Sequence, residues 1–180
     1  MKGAVRYPGM TVAVVFLLAL GAGPAAQAQE QELPTRLKDY TLVTPVPEGY
    51  EFPLEFGEAI PWKVGEELRG VVVQLRPRVL AKQFSVNEIV VVNARVNGQP
   101  VEVDLRLPTF STRAKQPVPL GPLQLPLPAD IVLAAQQEDA GGILFEADAY
   151  VLISPTVLEM VRLGATQVVL RFPVSVNIPL

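Results

Sequence analysis

Val90-Val91-Val92-Asn93-Ala94-Arg95-Val96-Asn97-Gly98-Gln99-Pro100-Val101-Glu102-Val103-Asp104-Leu105 is the stretch whose reading decides the fold. A two-residue type I′ turn needs positive φ at both central positions, and Asn97-Gly98 supplies it at little cost. A hairpin closed there sets Ala94 against Val101, Val92 against Val103 and Val90 against Leu105. All are apolar, whereas Asn93/Glu102 and Val91/Asp104 fall on the other, mostly polar face. One register satisfies both the turn and the faces, so the sequence predicts a hairpin with Val90, Val92 and Ala94 on one apolar side.

Upstream, Leu68–Leu75 carries Val71-Val72-Val73 and reads as a strand, with Val79–Val86 as a neighbour. Tyr50, Phe52, Leu54 and Phe56 alternate with Glu51, Pro53 and Glu55, a period of two that predicts another strand. Pro53 on its outer side marks that strand as an edge. Downstream, Pro117, Pro119, Pro122, Pro126 and Pro128 exclude a central strand and predict an extended connection between two halves of the β region.

Ile131–Ala135 and Ile143–Ile153 read as strands about the turn at 136–142, with a helix over Ala129–Ala140 as the alternative for the first. Thr156 and Glu159 have capping-box spacing and Gly164 is a suitable stop, so one short helix is predicted near 156–163. In the last segment Val168, Leu170, Phe172, Val174, Val176 and Ile178 share one face, opposite Arg171, Pro173, Ser175 and Asn177. Short strands, polar-out alternation and Pro-rich connections make the chain all-β, an antiparallel β-sandwich; a small closed β-barrel is the alternative.

The N-terminus has a different character. Lys2 and Arg6 precede the apolar run Val12–Leu20, and Ala26-Gln27-Ala28 offers a small–x–small cleavage site, so residues 1–28 read as a secretory signal peptide. The run is shorter than a membrane span. The chain is therefore expected to be exported, periplasmic or extracellular, with no transmembrane anchor after signal removal. Losing Lys2 and Arg6 moves the net charge from −3 to −5. Residues 29–66, Pro- and aromatic-rich, read as a segment packing on a β-sandwich of residues 67–180.

Composition removes many chemistries. The chain has no cysteine and no histidine. Disulfides, thiolate metal sites, thiol nucleophiles, a lipid-anchoring cysteine and imidazole acid–base catalysis are all excluded. A serine–lysine enzyme would survive those losses, but Ser111 stands four residues from Lys115 instead of three. No catalytic motif is recognised and no cofactor is implied. Nucleic acid is not an expected partner of an acidic, exported chain.

Three sets of residues remain as candidates. Tyr50, Phe52, Phe56 and Trp62 would suit stacking on a flat ligand, or sealing of the sandwich by an N-terminal flap. Glu146 and Asp148 lie two apart on a predicted strand, with Glu138 and Asp139 in the preceding turn. Four carboxylates suit Ca²⁺ or a divided acid and base, against the plainer reading of a solvated outer face. Phe172, Val174 and Val176 could offer a terminal strand to a neighbour, giving an oligomer by β-augmentation.

Segment 69–115 carries an excess of basic residues, among them Arg76, Arg78, Lys82, Arg95 and Arg106, which the acidic segment before it is expected to cancel. The leading expectation is an exported non-enzymatic protein that binds or assembles with an envelope or extracellular protein or glycan. A carrier of an apolar small ligand and a carboxylate-based glycan hydrolase are the alternatives.

Overall fold

A computed structural model describes residues 33–113, 120–137 and 141–180; the expected signal peptide lies outside them. In chain order the strands are β1 (Thr41–Val43), β2 (Leu54–Val64), β3 (Glu67–Pro77), β4 (Phe84–Val96), β5 (Gln99–Pro100), β6 (Phe110–Ser111), β7 (Leu123–Pro126), β8 (Ile143–Pro155) and β9 (Val168–Ile178). Helix α1 (Ala129–Ala135) follows β7, α2 (Val157–Leu163) follows β8, and a 3₁₀ turn spans Thr35–Leu37.

The strands form two sheets, the larger a curled, mixed half-barrel. Its order is β1-β9-β8-β4, with β5 and β6 both on the far edge of β4; the smaller sheet runs β2-β3-β7. The two-sheet, mainly β architecture is the one expected; among the described residues β1 and β9 run parallel and the other pairs antiparallel. One core joins the sheets, with Val71, Val73, Leu123 and Leu125 of the small sheet facing Phe145, Val151, Leu170 and Phe172 of the large. A second helix, α1, takes the place of a strand over Ile131–Ala135, as in the alternative of a helix beginning at Ala129; Ile131, Val132 and Ala135 bury one helical face against the core, and this overrides the strand preference of Ile131 and Val132.

The Asn97-Gly98 turn forms as predicted, with φ of +48° and +81°. Val96 pairs with Gln99 and Arg95 with Pro100, and the Val101 N–H donates to the Ala94 carbonyl at 2.9 Å. The shared face does not survive. β4 contains two bulges, one between Val86 and Glu88 and one between Val92 and Arg95, where Asn93 has φ +55°.

Each extra residue reverses which side chains point inward. The main core accordingly receives Phe84 and Val86, then Ile89 and Val91, then Ala94 and Val96. Val90 and Val92 turn the other way, onto a second apolar cluster of Leu37, Tyr150, Leu152 and Val169. The hairpin ladder also stops after Val101. Pairing resumes at β6, where Val86 meets Phe110, one step out of the predicted register.

Other boundaries shift for local reasons. Pro53 is buried ahead of β2 instead of lying on a strand's outer face, and its carbonyl accepts the Arg78 N–H at 2.8 Å. Residues 79–83 form a connection, so the expected strand Val79–Val86 begins only at Phe84. Residues 54–64 pair with 67–77, which makes position 66 part of a hairpin turn.

Prolines stand in several of the open edges, though not in the short strands β1 and β6. Pro61 lies within β2, Pro100 in β5, Pro126 in β7, and Pro173 in the part of β9 that β1 leaves uncovered. In the inner strands β3 and β8 proline stands only at the last position, and β4 has none.

Gly70 is where the small sheet tolerates no substitution. Its φ is +146°, and a Cβ there would fall on the Leu125 carbonyl oxygen. Gly70→Ala should therefore cost about 3 kcal/mol in urea unfolding. Gly98→Ala, whose Cβ would enter open space, should cost about 1 kcal/mol. Equal losses would show that backbone conformation alone, without the clash, sets the cost at Gly70.

Candidate functional site

The structure brings only some of the sequence-selected residues together. Glu146 and Asp148 do share the outer face of β8, opposite Arg95 and Val92 in register. Asp148 is fully engaged: Arg171 donates to Oδ1 from Nε at 3.1 Å and from Nη2 at 2.8 Å, and Asn93 Nδ2 donates to Oδ2 at 3.1 Å. The carboxylate thus works as an acceptor that ties β4, β8 and β9 across the bulge. Glu138 and Asp139 lie outside the described residues, among which no group of three acidic side chains is placed to hold a metal ion. Nor is this face simply solvated, because Tyr150 and Leu152 beyond Asp148 are buried beneath Leu37.

The aromatic set divides. Phe52 stacks on Phe56 (centroids 6.3 Å apart), Phe52 meets Phe172 edge-on at 5.9 Å, and Phe56 lies 5.6 Å from Phe145. These rings pack between the sheets, and the gap they border holds about 10 Å³, barely the room of one water molecule. Trp62 stands apart, half-buried and opposite Gly70 in register, where an aromatic side chain compensates a bare glycine in the neighbouring strand. Phe172 and Val174 face the main core, and Val176 packs on it partly exposed.

The surface that sequence reasoning did not single out is α2. Val157, Leu158 and Val161 are 77, 79 and 80% exposed, and no residue of the helix is fully buried. The side chain sent inward from mid-helix is Glu159, only 14% exposed. The usual arrangement sets the apolar stripe toward the core and charge toward water; here a carboxylate lies inward beside half-buried Met160 and Leu163, while three large apolar side chains face solvent. The sequence held a signal: Val157, Leu158, Met160, Val161 and Leu163 are more apolar positions than one face of a short helix can bury.

Glu159 also departs from its expected capping role. Thr156 precedes α2 and Gly164 (φ +68°) ends it, but the Thr156 side chain makes no capping bond. Instead the Glu159 carboxylate meets Lys82 Nζ at 3.1 Å and accepts from the Tyr50 hydroxyl at 3.4 Å, while Arg162 approaches to 3.9 Å. Lys82 Nζ lies 4.6 Å above the Tyr50 ring and donates to the Glu48 carbonyl at 3.3 Å. Tyr50, read from sequence as a ligand-stacking candidate, is thus buried in this cluster, its ring 5.4 Å from Phe84. Beside α2 runs an open groove of about 610 Å³, bordered by Tyr40, Thr41, Met160, Val161 and Gln167.

Compared with protein-family models, curated proteins and solved structures, the chain matches none.

Burial, and then the neighbouring Glu159 charge, push the Tyr50 hydroxyl up from 10 to about 12. A tyrosine raised in the folded state keeps its proton longer there than in the unfolded chain. Stability linked to Tyr50 should therefore be complete below pH 10 and fall as pH rises toward 12. Absorbance at 295 nm should show a late tyrosine ionisation in the folded protein that Tyr50→Phe removes.

Proposed function

We propose that the chain is an exported, non-enzymatic β-sandwich protein that docks onto an apolar surface of another envelope or extracellular protein through the outer face of α2. The observation that carries this reading is the solvent-facing apolar side of α2. Turning Val157, Leu158 and Val161 inward would remove three large apolar side chains from water, each worth roughly 1.5–3 kcal/mol when fully buried. The fold forgoes that gain and buries a carboxylate instead. Contiguous apolar side chains held toward solvent on an ordered element are the mark of an interaction surface.

The absence of histidine and cysteine fits a role without catalysis. Among the described residues, the gap between the sheets bordered by Phe52, Phe56 and Phe145 is too small for an apolar ligand. Asp148, engaged by Arg171 and Asn93, is poorly placed to act as an acid or base.

A photo-crosslinking residue at Leu158, in the cells that make the protein, should capture a discrete partner; the same residue at exposed Gln74 should not. Val157→Gln with Val161→Gln should lower that yield at least tenfold, with a stability change near 0.5 kcal/mol because both sites are exposed. No adduct at Leu158, or the same adduct from Gln74, would overturn the proposal.

A further inference from the structure

The hairpin closed at Asn97-Gly98 has a second arm that leaves the ladder and returns to it. The arm is bonded to β4 at Val101, whose N–H donates to the Ala94 carbonyl, and again where Phe110 pairs with Val86. Residues 102–109 in between carry no strand pairing, and an open gap of about 360 Å³, bordered by Val91, Asn93, Val101 and Val103, separates them from β4. The arm is nevertheless extended and two-faced. Val101, Val103, Leu105 and Leu107 pack on the main core, whereas Glu102, Asp104 and Arg106 are exposed, the last two paired at 2.9 Å. Its side chains are seated on the core while its backbone stands off the sheet. Between the two anchors the arm has eight residues, 102–109, against seven, 87–93, in β4.

We propose that residues 103–107 are a strap with two seats: the one just described, and a closed one in which they bond to the free edge of β4. The order of faces selects the closed register, because opposite residues of a ladder point to the same side. Continuing the pairing of Val86 with Phe110 sets Ile89 against Leu107 and Val91 against Leu105, all turned to the main core. It sets Val90 against Arg106, both turned away. Continuing the pairing from the turn would instead set core-facing Val91 against exposed Asp104. That register fails because the bulge at Asn93 reverses the faces of β4, and the Asn93 side chain is held there by Asp148. The extra residue gives the strap slack to leave the edge, and the anchors at both ends keep the entropy cost of its return small. Closed, the middle of β4 is an inner strand; open, it is an unpaired edge facing the gap. The strap thus sets whether β4 has an edge to offer, whatever α2 does.

The chain has no cysteine, so an introduced pair reports on the strap alone. Under mild oxidant, Val90→Cys with Arg106→Cys should join at least tenfold faster than Val90→Cys with Asp104→Cys, which the closed register leaves diagonally apart and beyond disulfide reach. Once the first pair has joined, alternate amides of residues 103–107 should exchange at least tenfold more slowly than in the reduced protein, with residues 149–153 of β8 unchanged. Equal joining rates would reveal a loose segment without a register, and no joining of either pair would show that the strap does not close. Joining without slower amides would show a contact but no ladder. Each of these results overturns the proposal. The unsubstituted chain supplies a measurement that needs no variant: amides of residues 103–107 as slow as those of β8 would mean a single, permanently bonded seat, and would overturn it as well.

Discussion

Two extra residues in β4 let one sheet serve two cores. With strict alternation from Val86, Glu88 would point into the space between the sheets. The bulge at Asn87 turns Glu88 outward, toward Arg36 at 3.7 Å, and brings Ile89 inward. The bulge at Asn93 then returns Ala94 and Val96 to the main core. Between the bulges Val90 and Val92 are left facing out, and an apolar outer surface needs a cover. Leu37, fully buried, supplies it, and β1 follows by pairing with the start of β9. The segment before β2 is thus tied to the large sheet because β4 is irregular.

The same segment meets the basic middle of the chain. Glu51 pairs with Arg78 at 2.8 Å, and the Glu48 carbonyl accepts from Lys82. Exposed pairs of this kind contribute little to stability. Their effect is to leave fewer cations for an outside anion, while Lys82 is drawn into the cluster under α2. The apolar face of that helix and the polar cluster beneath it are two sides of one arrangement.

Much of this was legible in the residues. Asn97-Gly98 specified its turn because only a few residue types accept that backbone, and Val168–Ile178 specified its faces because nothing interrupts its alternation. Gly164 ended α2 for the same conformational reason. The faces of β4 were not legible, since a bulge adds a residue without changing local composition, and Asn93 looked like a polar strand position. In the sequence Tyr50 is legible only as an aromatic, because its role depends on Lys82 and Glu159, 32 and 109 residues away. Glu159 reads as a cap because the motif at 156–159 is local, whereas the cation that claims it arrives through the tertiary fold.

The prolines at the sheet edges have a consequence for a chain that must fold among identical copies. While a β-protein assembles, its unfinished edges are its most adhesive parts, since any extended backbone can continue the ladder. Pro61, Pro100, Pro126 and Pro173 each interrupt the row of donors a neighbouring copy would need. At those four strands the backbone is less receptive, so the apolar face of α2 has fewer edges beside it from which an aggregate could grow.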